Sequence, residues 1–398
     1  MSRQRSVATV LGAALLSTVL TSSSVSGAVP SGTTITGSPR LQSAAKQSAK
    51  VLMHPQLAQP GSGVQRSAKA KSAMSAVFKP ARKGRTVVLQ RKKGTSWVSV
   101  SKRRQNGKGI AEFTAPYKVK GKVAVYRASA VRYRDQAKVT SRGVKTSRWG
   151  RADFTDEFAR STLSGNWSDR LQGYQPESSR ACSKADPRAR RVVNGAARSS
   201  VLDDQSRGRD CSYEGRSYDW RLNGHIGTQF AKSFRYGYAA ARMKFQPRRG
   251  QHASFWMQPE TMEAVEGSAD QTGAEIDIIE WFGGDHPSGG LTSFIYHYPD
   301  NGRDGVTGEK VGGFIKNSGR FGGDWAKKYH VFSVEWTPQR YIFRIDGKET
   351  FRTSKGVSGQ PQFLILSLLS SDYELPLLEG DNRLPQHMFV DWVRYWER

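Results

Sequence analysis

The chain reads as all-β: a small β-sandwich followed by a larger sandwich or jelly roll. Short runs of β-branched and aromatic residues are separated by turn signals, and long amphipathic helical patterns are scarce. Aromatics and β-formers become denser after about Asp153, just past a polar, basic stretch. Two all-β units within 398 residues are therefore expected.

The elements follow in order. Arg3 and Arg5 precede an apolar run from Val7 to Leu20, and Ser26 and Ala28 form a small-x-small site. A secretory signal peptide over 1–28 is expected, because the run is too short to span a bilayer and no other segment could. Residues 29–72, rich in Ser, Ala, Gly, Gln and Lys, read as a flexible linker. Over 73–135, Thr86–Leu89, Trp97–Val100, Ile110–Phe113 and Val123–Tyr126 read as short strands. Lys93-Gly94 and Asn106-Gly107 supply turns between them, giving a basic all-β accessory module. Residues 136–152 read as a second linker. Over 153–398, His330–Trp336, Tyr341–Ile345, Lys348–Phe351, Phe363–Leu369 and Met388–Trp396 read as strands, with a tight hairpin at Asp346-Gly347.

Charge divides the chain unevenly. Residues 1–150 hold 29 lysines and arginines against two acids, Glu112 and Asp135, within a total net charge of +28. Residues 151–398 hold 33 against 32. The asymmetry points to an anionic partner for the first part, or to a solubilising basic face. For an exported protein an anionic cell-wall polymer fits better than nucleic acid. The two cysteines, Cys182 and Cys211, form one disulfide or stay as thiols, and export favours the disulfide.

The segment Glu275-Ile276-Asp277-Ile278-Ile279-Glu280 puts three carboxylates into an apolar strand. Burying unpartnered carboxylates is costly, so their presence needs a reason. In a regular strand Glu275 and Asp277 share a face and Glu280 points away. One β-bulge at Ile278 or Ile279 returns Glu280 to their side. Two carboxyl groups flanking a scissile bond are what glycoside hydrolysis needs, one ionised and one protonated. A third acid between them can share a proton and keep the two pKa values apart. The outer pair would be roughly 5–5.5 Å apart for retention of configuration, and farther for inversion. The sequence holds no H-E-x-x-H, phosphate loop, G-x-S-x-G or zinc-type Cys spacing.

Several segments, in order, resemble glycoside hydrolase family 16, in its laminarinase-like subgroup with a bulged E-x-D-x-x-E. They are Phe234–Tyr238 with Ala241–Lys244, Phe255–Met257, Ala274–Glu280, Glu335–Pro338 with Ile345–Gly347, and Val390–Arg394. The resemblance covers roughly Asp153 to Arg398. It implies a jelly-roll sandwich with an open cleft on its concave sheet, and retention. It implies Glu275 as nucleophile, Glu280 as acid/base and Asp277 as assisting acid. It points to His297 as an active-site histidine and to Trp256 and Trp281 as sugar platforms. No cofactor is implied for catalysis, although a structural calcium near the last strand would take Asp391 as a ligand. Two departures bear on the sugar. His225 stands where an arginine is common, and Ser367 where an asparagine is common. The 73–135 module resembles small immunoglobulin-like modules of exported bacterial enzymes.

The expected protein is a secreted, monomeric, retaining endo-glycosidase acting on a β-linked polysaccharide, foremost β-1,3-glucan. The alternatives are the same chemistry on a galactan or anionic glycan, a transglycosylase, or a non-catalytic glycan-binding protein. Neither nucleic acid nor a membrane span is expected.

Overall fold

A computed structural model describes residues 46–175, 180–208, 210–261, 267–298, 308–377 and 384–398. The expected signal peptide and the first part of the 29–72 segment lie outside them. Residues from Lys46 to Arg398 form one compact unit.

Two sheets make the larger sandwich. In the first, Gln251–Pro259 lies between the acidic strand Glu275–Trp281 and Gln362–Ser370, all antiparallel. Leu291–His297 extends this sheet beyond the acidic strand, and Glu309–Phe314 follows it. Arg221–Gly227 extends it on the far side of Gln362–Ser370. In the second sheet, Gly237–Lys244 lies between His330–Thr337 and Gln386–Glu397. Alternate residues from both sheets meet in one core. Phe255, Met257, Ile276, Leu364 and Leu366 come from the first, and Ala239, Met243, Phe332, Val334 and Val390 from the second.

Two segments expected to be linkers carry strands instead. Ser48–Met53 pairs with Ser72–Lys79, which pairs with Ile110–Ala115. Val139–Thr140 and Val144–Lys145 both pair with Val125–Ala130. That strand joins Thr86–Lys93 and then Ser96–Arg104. Ser48–Met53 escapes composition because only Val51 and Met53 bury large apolar side chains there. The small sandwich therefore runs past both expected boundaries, from Ser48 to Lys145.

The small sandwich is joined tightly to the large one. Leu57, Ala70 and Ala73 bury the outer face of the second sheet, packing on Tyr238, Ala240, Val331, Trp392 and Trp396. Polar contacts continue the junction. Trp392 Nε1 donates to Gln59 Oε1 at 2.7 Å, and Tyr238 shares a 2.7 Å hydrogen bond with His54 Nδ1. Tyr238 also donates to Glu335 at 2.6 Å, and Glu335 pairs with Arg344 at 2.9 Å.

Asp391 belongs to this junction. Its carboxylate accepts from the fully buried Arg242 guanidinium and, at 2.9 Å, from the Gln65 backbone N–H. Arg242 also donates to the carbonyls of Gln59 at 2.6 Å and Gly63 at 2.9 Å. Asp391, expected as a calcium ligand, is an ion-pair partner of Arg242 in this structure. Among the described residues, no group of three or more His, Cys, Asp or Glu is placed to hold a metal.

Removing one member of a buried pair strands the other's charge. Asp391→Ala is expected to lower unfolding free energy by about 3–5 kcal/mol in urea titrations. The double change Arg242→Met with Asp391→Leu is expected to cost less than Asp391→Ala alone.

Candidate active site

The acidic strand carries the bulge that its spacing predicts. Trp256 pairs with Asp277 and Phe255 with Ile279, so Ile278 has no opposite residue. On the other side Asp277 pairs with Phe294 and Glu280 with Thr292, again leaving one extra residue. Ser293 Oγ donates to the Ile278 carbonyl at 2.8 Å and satisfies the interrupted ladder. Ile278 and Ile279, consecutive in sequence, both enter the core. Glu280 is thereby returned to the face of Glu275 and Asp277.

The same parity corrects two expectations. Past the bulge, Trp281 follows Glu280 onto the core side. It is buried, stacks on Phe245 and donates from Nε1 to the Gln246 carbonyl at 2.7 Å. It offers no platform to a sugar. Glu275 pairs with Tyr296, so His297, one residue on, faces away from the acids. His297 pairs with Glu309, with Nε2 and Oε2 3.6 Å apart, and its ring lies against Gly356.

One row of directly opposed residues crosses the sheet: His225, Ser367, Ser254, Glu280 and Thr292. Trp256 stands two residues from Ser254 on the same face and donates from Nε1 to Ser367 Oγ at 2.9 Å. His225 stacks on Trp256, with centroids 6.1 Å apart and planes inclined 17°. His225 is 9% exposed, and neither ring nitrogen has a partner among the described residues.

Side chains that the sequence reading did not single out complete the face. Ser254 Oγ and Thr292 Oγ1 donate to Glu280 at 3.3 and 3.0 Å. Gln258 Nε2 donates to Glu275 at 3.1 Å and accepts at Oε1 from Arg170 Nη2 at 2.8 Å. The Arg170 guanidinium lies 5.2 Å from the centroid of the Trp256 ring. Arg180 Nη2 lies 3.3 Å from His252 Nδ1, and His252 Nε2 is 3.9 Å from Glu280. Strand alternation from Trp256 marks His252, Ser254 and Gln258, but only the tertiary register shows Thr292, Arg170 and Arg180.

Burial and charge sort the three acids. Asp277 is held well above the usual carboxylate range by burial and by Glu275 and Glu280, so it keeps its proton. It shares a hydrogen bond with Glu275 that favours the ionised form of Glu275. Burial raises Glu275, while bonds from Gln258 and Asp277 and the charges of Arg170 and Lys310 oppose the rise. Burial pushes Glu280 up to about 7, against the hydrogen bond from Thr292. Burial and the Arg180 charge keep His252 neutral, so its approach to Glu280 is not an ion pair. Burial lowers Arg170 to about 10, which leaves it charged at neutral pH.

These shifts link to stability. With Glu280 raised to about 7, the folded chain holds a proton that the unfolded chain releases near pH 4.3. Stability is therefore greatest below the unfolded value and falls as pH rises to about 7. Glu280→Gln removes this dependence. The variant is expected to melt at higher temperature than the wild type at pH 8, with the gap closing near pH 4, as read by calorimetry.

Cys182 and Cys211 form a disulfide, with Cα atoms 5.6 Å apart. Asp372 accepts from the Cys182 N–H at 2.8 Å, so the bridge anchors the chain just after Arg180.

Comparison with known proteins follows this geometry. Residues 201–388 match the model for glycosyl hydrolases family 16. The clotting factor G alpha subunit of Tachypleus tridentatus is 26% identical over 201 residues, covering 46% of this chain and 26% of that protein. Glucan endo-1,3-beta-glucosidase A1 of Niallia circulans is 23% identical over 202 residues, covering 44% of this chain and 26% of that protein. The chain thus spans about a quarter of the length of these two relatives. The laminarinase catalytic domain of Thermotoga maritima is 19% identical, with a TM-score of 0.47 over 62% of this chain and 98% of that one. It is thus residues 201–388, with the bulged acidic strand at their centre, that match glycosyl hydrolases family 16.

Proposed function

We propose that this chain is an exported, retaining endo-hydrolase of β-1,3-glucan. The observation that carries the reading is the bulge at Ile278, which sets Glu275, Asp277 and Glu280 on one face in different protonation states. The family match over residues 201–388 supports hydrolysis of a glycosidic bond, and the Niallia circulans relative supports a glucan. The disulfide supports an oxidising destination, in keeping with the leader-like N-terminus.

The chemistry follows from the proton positions. Glu275 attacks the anomeric carbon as a carboxylate while Glu280 gives its proton to the departing glycosidic oxygen. Asp277 donates to Glu275 and orients it. In the second half Glu280, now ionised, takes a proton from water. That water attacks the anomeric carbon and releases Glu275. Thr292 and Ser254 hold the Glu280 carboxyl in place through both halves. Trp256 offers its half-buried ring to a sugar face.

A second reading changes the sugar and keeps the chemistry. Arg170, Arg180 and Lys310 all act electrostatically on the acids, where Asp277 and Glu280 carry protons. His225 and Ser367 replace the residues common at their positions. This surplus of positive charge favours a glycan with anionic substituents.

Reducing-sugar release from laminarin, agar and carrageenan tests both readings. Release from laminarin is expected, and release from a galactan alone would transfer the assignment to the second reading. Glu275→Gln is expected to abolish release, and Glu280→Gln to lower kcat by at least roughly 10³-fold on unactivated substrate. The alkaline limb of the kcat/KM profile is expected near pH 7, because Glu280 must be protonated to donate. Retention is checked by NMR of the first-formed anomer.

A further inference from the structure

The outer face of the small sandwich is a sheet of cations arranged around one tryptophan. Val87, Leu89, Tyr126 and Ala128 turn inward to that sandwich's core. Directly opposed residues share a face, so the register fixes what turns outward. Lys92 opposes Trp97, Val88 opposes Lys102 and Thr86 opposes Arg104. Gln90 opposes Arg127, and Val125 opposes Lys145. Lys92, Lys102, Arg104 and Lys145 are exposed.

Trp97 lies across this face rather than standing out from it. The Arg127 guanidinium is 4.2 Å from its ring centroid and donates from Nε to Gln90 at 2.8 Å. A Cβ at Gly143, on the far side of the Arg127 strand, would come within 2.9 Å of the ring. The half-buried indole is thus held flat by a cation and a close glycine backbone.

Among the described residues, no acid pairs with Lys92, Lys102, Arg104, Arg127 or Lys145. The two acids of residues 1–150 both have other partners. Glu112 accepts from the Glu349 backbone N–H at 2.8 Å, at the junction with the large sandwich. Asp135 pairs with Arg82 at 3.3 Å. Five like charges without counter-charges raise the local potential and attract a polyanion.

We infer that this face binds a carbohydrate polymer carrying regularly spaced anionic groups, carboxylate or phosphodiester. The flat indole suits the C–H face of a sugar ring, and the surrounding cations suit its acidic groups. The choice of carbohydrate over nucleic acid rests on the proposed function of the large sandwich. The buried junction joins both sandwiches in one unit, so a polymer held here has a fixed relation to the acidic strand.

The test uses the full chain carrying Glu275→Gln, so that binding is read without hydrolysis. Titrations against polygalacturonate, poly(glycerol phosphate), laminarin and duplex DNA are run at low and high salt. Binding to at least one anionic glycan, weakened by salt, is the expected result, whereas laminarin, a ligand of the acidic cleft, is expected to bind with the same affinity at low and high salt. The combined variant Lys92→Ser, Lys102→Ser, Arg104→Ser and Lys145→Ser is expected to bind at least about tenfold more weakly, with an unchanged melting curve. Trp97→Ala keeps every charge and is expected to lose about threefold. The relative strength of the first two polymers tells carboxylate from phosphodiester. Tighter binding to DNA than to either anionic glycan, an unmoved affinity in both variants, or no binding at low salt would overturn the inference. Because the protein is inert in this assay, a failure of the hydrolytic reading leaves the result unaffected.

Discussion

Ile278 is one residue more than its ladder can pair, and the active face depends on where that surplus is placed. Without it, Glu280 would point into the core among isoleucines, where a carboxylate has no water and few partners. With it, two consecutive isoleucines go inward and the acid turns outward to meet Ser254 and Thr292. A single backbone irregularity therefore satisfies the core and the chemistry together. The backbone carbonyl it frees is taken by Ser293, so the ladder is interrupted without stranding a buried acceptor.

The three acids then sort themselves by environment. Burial favours the neutral form of each, but three buried carboxylic acids would not make a nucleophile. Gln258 and Asp277 both donate to Glu275, and Arg170 and Lys310 add positive charge, so ionisation is concentrated there. Asp277 has one oxygen without a partner among the described residues and stays protonated between two competitors for its charge. Arg170 contributes twice, through its charge and through the hydrogen bond that orients Gln258.

Much of this was legible in the sequence, and the limits have physical causes. The E-x-D-x-x-E spacing announces a bulge because period-two alternation otherwise fails at Glu280. Trp281 and His297 fall on the other side because each lies one residue beyond a face-determining position, where alternation reverses the side. Asp391 could not be read at all. Its partners, Arg242 and Gln65, lie 149 and 326 residues away in sequence. The strand at Ser48–Met53 was hidden by composition, since a strand that buries two large side chains against a partner sheet resembles a linker. Arg170 was invisible for a similar reason, since it joins the face through the carbonyl of His225 and the side chain of Gln258, not through any local pattern.

The junction between the sandwiches changes the meaning of the N-terminal part. In a freely tethered module, the outer face of the second sheet would be solvated and polar. Here that face carries Tyr238, Ala240, Val331, Trp392 and Trp396, which only make sense when covered. Residues Leu57–Ala73 supply the cover, and Gln59 and Gln65 meet the polar groups that burial would otherwise strand. The small sandwich is thus a third layer of the fold, and the second sheet is buried on both sides. A sheet pinned on both faces resists shear, and it is the support against which the acidic strand packs its isoleucines. The precision required of three carboxylates on one face is met partly by residues that lie on the opposite side of the molecule.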